Sequence, residues 1–129
     1  MTSAADFMHR AERTLAGARV LNAHGDSEGA SSRAYYAMFH AAQAALLTVG
    51  VHPDEVIIKT HRGLIASFGK FLVLPGHLDA RLGRSFSRAE QRRLAADYMS
   101  GAPSVAEAED GLADAEAFLQ AIRAAFPTL

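Results

Sequence analysis

Arginine, tyrosine and histidine recur at helical spacing in the run Ser32-Arg33-Ala34-Tyr35-Tyr36-Ala37-Met38-Phe39-His40-Ala41-Ala42. Arg33 and His40 are seven residues apart, which on an α-helix puts them within about 20° of one face and about 10.5 Å apart along the axis, with Tyr36 and Ala37 between. Within one helix they do not meet unless the arginine arm swings over. A second copy packed antiparallel across a two-fold axis would bring Arg33 of one chain to His40 of the other, so a homodimer would build the site twice. A neutral histidine near its pKa can take the proton of a ribose 2′-hydroxyl. An arginine, always charged, can hold the phosphate and the charge that develops on it. This is cleavage of RNA with no metal and no cofactor, and Tyr36 would position a base or phosphate. The same spacing also allows a packing role, with Arg33 paired to Asp26 or Glu28 and His40 satisfied in a dimer seam.

The elements that must position these residues read as helices. Residues 3–23 carry Ala4, Phe7, Ala11, Leu15 and Ala18 at steps of three and four, the spacing of one buried face. His24-Gly25-Asp26-Ser27 breaks that helix and supplies a capping oxygen for the next, which runs from about Glu28 to Val49, stops at Gly50 and buries Ala34, Tyr35, Met38, Ala42, Ala45 and Leu46. Thr60 caps a third helix through Leu64, Ile65, Phe68, Phe71 and Leu72, ended by Pro75-Gly76. A broken stretch is expected next: a short helix with Leu78 and Leu82, a joint at Gly83–Ser87, and a second piece opening on the capping box Ser87-Arg88-Ala89-Glu90. After Gly101-Ala102-Pro103, Ser104 and Glu107 form another capping box. It opens a last helix whose seam is Val105, Ala108, Leu112, Ala115, Leu119, Ile122 and Phe126. No segment shows the alternation a half-buried strand needs. The expected fold is all-α: an up-and-down four-helix bundle with a short fifth helix, one domain over residues 1–129.

Composition narrows the chemistry. The chain has 129 residues, half of them hydrophobic and 21% charged, the balance of a folded protein. Without cysteine it can hold neither disulfides nor thiolate-ligated metals. No apolar run is long enough to span a bilayer, and the first residues carry acid where a secretory leader carries base, so a soluble, cytoplasmic protein is expected. His52, Asp54 and Glu55 are ligand types, yet Pro53 and the lack of i, i+4 spacing argue against a metal site. Phosphate-loop, nucleophile-elbow and HExxH motifs are absent.

Charge is uneven: residues 59–93 carry a surplus of six positive charges and residues 94–129 a surplus of five negative ones. That is either an anion-binding face or two helices attracting each other. Arg81, Arg84, Arg88 and Arg92 would form a basic stripe able to track a phosphate backbone if the joint stays helical. The alternative is a solvated face paired with the acidic last helix. His61, at the start of the third helix where backbone N–H groups favour anions, could help hold a phosphate or be plain surface.

The central run resembles the signature of the HEPN superfamily, in its branch of small proteins. Further matches in order are Lys59-Thr60-His61-Arg62-Gly63, Phe68 with Phe71, and Arg93 with Asp97-Tyr98, so the likeness covers nearly the whole chain. It implies a helical bundle that homodimerises and is often encoded beside a minimal nucleotidyltransferase partner in toxin–antitoxin modules. Many such proteins are metal-independent ribonucleases with an arginine, four to six residues, then a histidine; Arg33 and His40 fit at the upper limit. Two positions depart from the pattern. Ala34 follows the arginine where active members often carry a polar residue, and Ala42 stands where many toxin members have a tyrosine that accepts AMP. A non-catalytic dimer that binds a nucleotide or docks a nucleotidyltransferase is the alternative.

Overall fold

The computed structural model describes residues 2–52, 60–98 and 101–129, without the side chains of residues 96–98. Asp54, Glu55 and Lys59, and the side chains of Asp97 and Tyr98, lie outside the described residues. The architecture is all-α. Four long helices, α1 (Ala4–Ala23), α2 (Ser27–Thr48), α4 (Ala80–Tyr98) and α5 (Val105–Ala125), enclose a short α3 (His61–Phe68) that runs on into a turn of π-helix, Gly69–Val73. Among the described residues no helix is long and apolar enough to cross a membrane.

Local chemistry sets the helix starts. Ser3 and Asp6 close a reciprocal capping box on α1, at 2.9 and 3.1 Å, and Ser104 and Glu107 do the same on α5, both bonds at 3.1 Å. Thr60 accepts from Gly63 N–H at 2.9 Å and starts α3. The oxygen that caps α2 belongs to Asp26, which accepts from Gly29 N–H at 2.8 Å. A Cβ at Gly29 would collide with that carboxylate, so only glycine lets the cap close here. Gly25 and Gly50 follow α1 and α2 with φ of 83° and 91°, left-handed turns that glycine makes without strain.

One expectation fails. The joint at Gly83–Ser87 does not exist, and α4 is a single 19-residue helix. Gly83 packs near Val73 of the π turn, where an added Cβ would sit 3.6 Å from a valine methyl, and Ser85 is buried. The small residues that read as a break serve close helix packing instead, and the Ser87–Glu90 box falls mid-helix with Glu90 turned to Arg93.

The core has two parts. Alanines dominate the α1/α2 face, with Ala11, Ala18, Ala37 and Ala41 fully buried, so the two backbones lie close. Phe68, Phe86 and Phe118 then join α3, α4 and α5 in a triangle with ring centres 5.3–5.6 Å apart, each ring fully buried. Rings at these separations gain beyond the burial of their area. The expected core stripe of α2 is buried throughout, and Ala30, Ala37, Ala41 and Ala44 are buried with it. Between Ser32 and Leu47 the residues of α2 that are not buried, Ser32, Arg33, Tyr36, Phe39, His40, Gln43 and Leu47, fall on one arc of about 120°.

Candidate active site

Arg33 and His40 stand on the edge of that arc nearest α1. Gly17 of α1 lies under the arginine: a Cβ there would be 3.5 Å from Arg33 Cδ and 3.7 Å from its Nη1. Arg33 is exposed, its arm laid along α1, and no hydrogen bond joins it to His40 among the described residues. Arg10, seven residues before Gly17, is the cation whose field reaches His40, as the antiparallel register of α1 on α2 requires.

His40 is half-buried. Its Nδ1 lies 3.1 Å from Gln43 Oε1, so with the amide oxygen accepting, Nδ1 carries the proton and Nε2 holds the lone pair. Burial pulls the imidazole below its ordinary value; the Gln43 bond opposes this and Arg10 adds to it. Burial thus favours the neutral ring, and the Gln43 contact, with the amide oxygen toward the imidazole, favours the tautomer with a basic Nε2.

Phe39 forms the other edge of the arc, with Tyr36 near its middle, and His61 of α3 packs against both. His61 opens α3 but turns back onto α2, its ring centre 4.9 Å from Phe39, 5.7 Å from Tyr36 and 5.5 Å from Tyr35. Its Nδ1 is 2.7 Å from the Tyr35 hydroxyl. Burial, and after it the neighbouring Glu90 carboxylate, push the Tyr35 phenol far above its usual value. Arg93 holds Glu90 through Nε and Nη2, both at 3.1 Å, and sits over the Tyr35 ring at 5.2 Å. Burial raises the Glu90 pKa, but Arg93 and Tyr35 outweigh it and keep the carboxyl ionised. His61 lies below its ordinary value through burial and then Arg93, with Glu90 opposing.

Both histidines give the fold a pH dependence of known sign. Their folded pKa values lie below the unfolded value near 6.5. The unfolded chain then takes up protons first as pH falls, and stability drops from about pH 6.5 toward the folded values. The melting temperature should be lower at pH 5.5 than at pH 7.5, and His40→Gln should flatten that difference; equal melting at both pH values would contradict the placement of these rings.

The basic stripe is real as geometry and largely engaged. Arg92 bonds Asp114 of α5 at 2.9 Å and Arg88 approaches the same carboxylate at 3.7 Å, while Arg81 folds back onto Asp79 at 3.2 Å. Arg84 is exposed beside Arg88, along a shallow depression that also touches Ile65 and Gly69. Arg88 and Arg92 thus face α5, while Arg84 lies toward α3 and the π turn. Exposed pairs of this kind contribute about 0–1 kcal/mol each.

A cleft of about 390 Å³ opens between the start of α2, the second half of α4 and the start of α5. Ser31, Ser32, Arg92, Glu107 and Gly111 line it, and Tyr35, Tyr36 and Arg93 are shared with the His61 cluster. Sequence reasoning did not pick out Gln43, Arg10 or the Tyr35–Glu90–Arg93 chain as parts of the site. Gln43 could have been found, since it lies one turn after His40.

A family model for the HEPN domain matches residues 4–125. A Methanocaldococcus jannaschii protein named "Putative toxin MJ0605" is 36% identical over 115 residues, covering 89% of this chain and 82% of its own. A UPF0332 protein of Gloeobacter violaceus is 36% identical over 118 residues, 89% of each chain. A UPF0332 protein of Thermotoga maritima is 31% identical over 117 residues, 90% of this chain and 85% of its own. With that coverage, and with the all-helical architecture just described, the chain belongs to the HEPN domain family.

Proposed function

We propose that this protein is a toxin-like HEPN endoribonuclease that needs no metal, acting through Arg33 and His40 brought together across a homodimer. The observation that carries the reading is the setting of His40: half-buried, its Nδ1 3.1 Å from Gln43 Oε1, and its imidazole drawn below its ordinary value by burial. That setting favours the form a general base for a 2′-hydroxyl requires. Within one chain Arg33 lies along α1 and does not reach the imidazole. The dimer supplies the missing contact: Tyr36, Phe39 and Leu47 are only half-buried along the open arc of α2, a row that a second copy would cover. The name of the M. jannaschii relative supports a toxin role, and the HEPN resemblance supports a nucleotidyltransferase partner.

The arrangement in trans has a direct test. Arg33→Ala and His40→Ala chains, each inactive alone, are mixed and allowed to exchange subunits. Half of the dimers are then mixed, and each has one intact site of two, so activity should return to about a quarter of wild type. No recovery after demonstrated exchange would place both residues in one chain's site or outside catalysis.

The cleft favours a second reading, a dimer that binds a nucleotide without cutting RNA. Tyr36 offers an aromatic wall and Arg92 a guanidinium with donors beyond the one given to Asp114. Gly111 sits mid-helix, where glycine costs about 1 kcal/mol against alanine, and its missing side chain keeps the cleft open. Gly111→Leu should fill the cleft, abolish any binding of mononucleotides measured by calorimetry, and leave RNA cleavage within about twofold. Loss of cleavage on plugging would make the cleft part of the ribonuclease site.

A further inference from the structure

Transesterification of RNA moves two protons. One leaves the attacking 2′-hydroxyl, and one must reach the departing 5′-oxygen, because an alkoxide is a poor leaving group. His40 accounts for the first. Arg33 cannot supply the second, since a guanidinium does not give up its proton in a protein.

A second imidazole stands on the same surface. The His61 and His40 rings both contact Phe39, with centres 4.9 and 5.9 Å from the phenylalanine ring, so the two imidazoles lie within about 11 Å of each other. An in-line displacement places the attacking and leaving oxygens on opposite sides of phosphorus. Two nitrogens hydrogen-bonded to those oxygens then stand about 6–9 Å apart. Two imidazoles that both contact Phe39, with centres no more than about 11 Å apart, are compatible with that separation.

His61 is also held as a proton donor would be. The Tyr35 hydroxyl lies 2.7 Å from its Nδ1, and the Glu90 carboxylate, fixed by Arg93, acts on the same hydroxyl. With the phenol proton turned to the Glu90 carboxylate, the phenol oxygen is free to accept from Nδ1–H. With Nδ1 engaged by the phenol, His61 presents Nε2; burial and then Arg93 disfavour its imidazolium form, with Glu90 opposing, so a proton on Nε2 is readily given up. Glu90 and Arg93 are only 14% and 18% exposed. A histidine at the first position of a helix needs no such buried support merely to sit at the surface.

We propose that His61 is the general acid of the cleavage in which His40 is the base; this rests on the ribonuclease reading above. The 2′-O–H proton passes to His40 Nε2 as the P–O2′ bond forms. The P–O5′ bond breaks, and the proton on His61 Nε2 passes to the departing 5′-oxygen. The products are a 2′,3′-cyclic phosphate and a 5′-hydroxyl, with one proton taken up and one given by the protein. Arg33 faces the non-bridging oxygens. Tyr35, Glu90 and Arg93 are positioning residues.

The experiment compares ordinary RNA with the same strand carrying one 5′-bridging sulfur, a leaving group that departs without a proton. The wild type should cleave both. His61→Gln should slow ordinary RNA by about 10²–10³-fold yet cleave the sulfur substrate within about tenfold of wild type, whereas His40→Gln should stay slow on both. Tyr35→Phe keeps His61 but frees its ring, and its smaller loss on ordinary RNA should be rescued by the same substrate; it carries the test if His61→Gln does not fold. Equal losses of His61→Gln on both substrates, or no loss on ordinary RNA while the wild type cuts, would overturn the assignment and leave the ribonuclease reading standing. A wild type that cuts neither strand would overturn both.

Discussion

His40→Ala is expected to slow RNA cleavage by about 10²–10⁴-fold at pH 7, the range a positioned general base contributes. The loss should fall on the chemical step, because Arg33 and Tyr36 remain to bind the strand. Folding should survive, since His40 is only half-buried and its hydrogen bond to Gln43, 3.1 Å long, joins two residues of the same helix. Gln43→Ala should cause a smaller loss, about tenfold, because the imidazole can then adopt either tautomer and only one leaves Nε2 basic. Initial rates with a short single-stranded substrate check both. A His40→Ala rate within twofold of wild type would remove His40 from the chemistry.

Phe68→Ala is expected to carry the largest cost to stability, about 3–5 kcal/mol. Phe68 is fully buried and closes the triangle with Phe86 and Phe118, so its loss leaves a cavity bounded by three helices. Against a total of about 5–15 kcal/mol for a domain of this kind, much of the folded population is at stake. Activity should fall more than stability alone predicts, because Phe68 also anchors α3, at whose first turn His61 sits. Urea unfolding followed by circular dichroism measures the first effect. A loss below 1 kcal/mol would mean that the three rings do not share one core.

Much of this frame was legible in residue spacing. The last helix reads directly because its seam never misses a step and Ser104 and Glu107 mark its start. Thr60 marks α3 in the same way. The α4 joint misled because Gly83, Ser85 and Ser87 have the composition of a break, and local propensity is a weak vote against packing on Val73 and Phe118. The turn of π-helix at Gly69–Val73 leaves no periodic trace in five residues.

In the candidate site, the shared face of Arg33 and His40 follows from a helix alone. The direction of the Arg33 arm does not, because it depends on the bare backbone of Gly17 on another helix. Tyr35 reads correctly as core. Its bond to His61, 26 residues away, and its neighbour Glu90 belong to contacts that only the tertiary fold creates.

The most direct measurement is incubation of the purified protein with transfer and messenger RNA in excess EDTA, followed by analysis of the new ends. The account predicts fragments ending in 2′,3′-cyclic phosphate from the wild type and none from His40→Ala. Intact RNA after incubation with folded wild-type protein would contradict it.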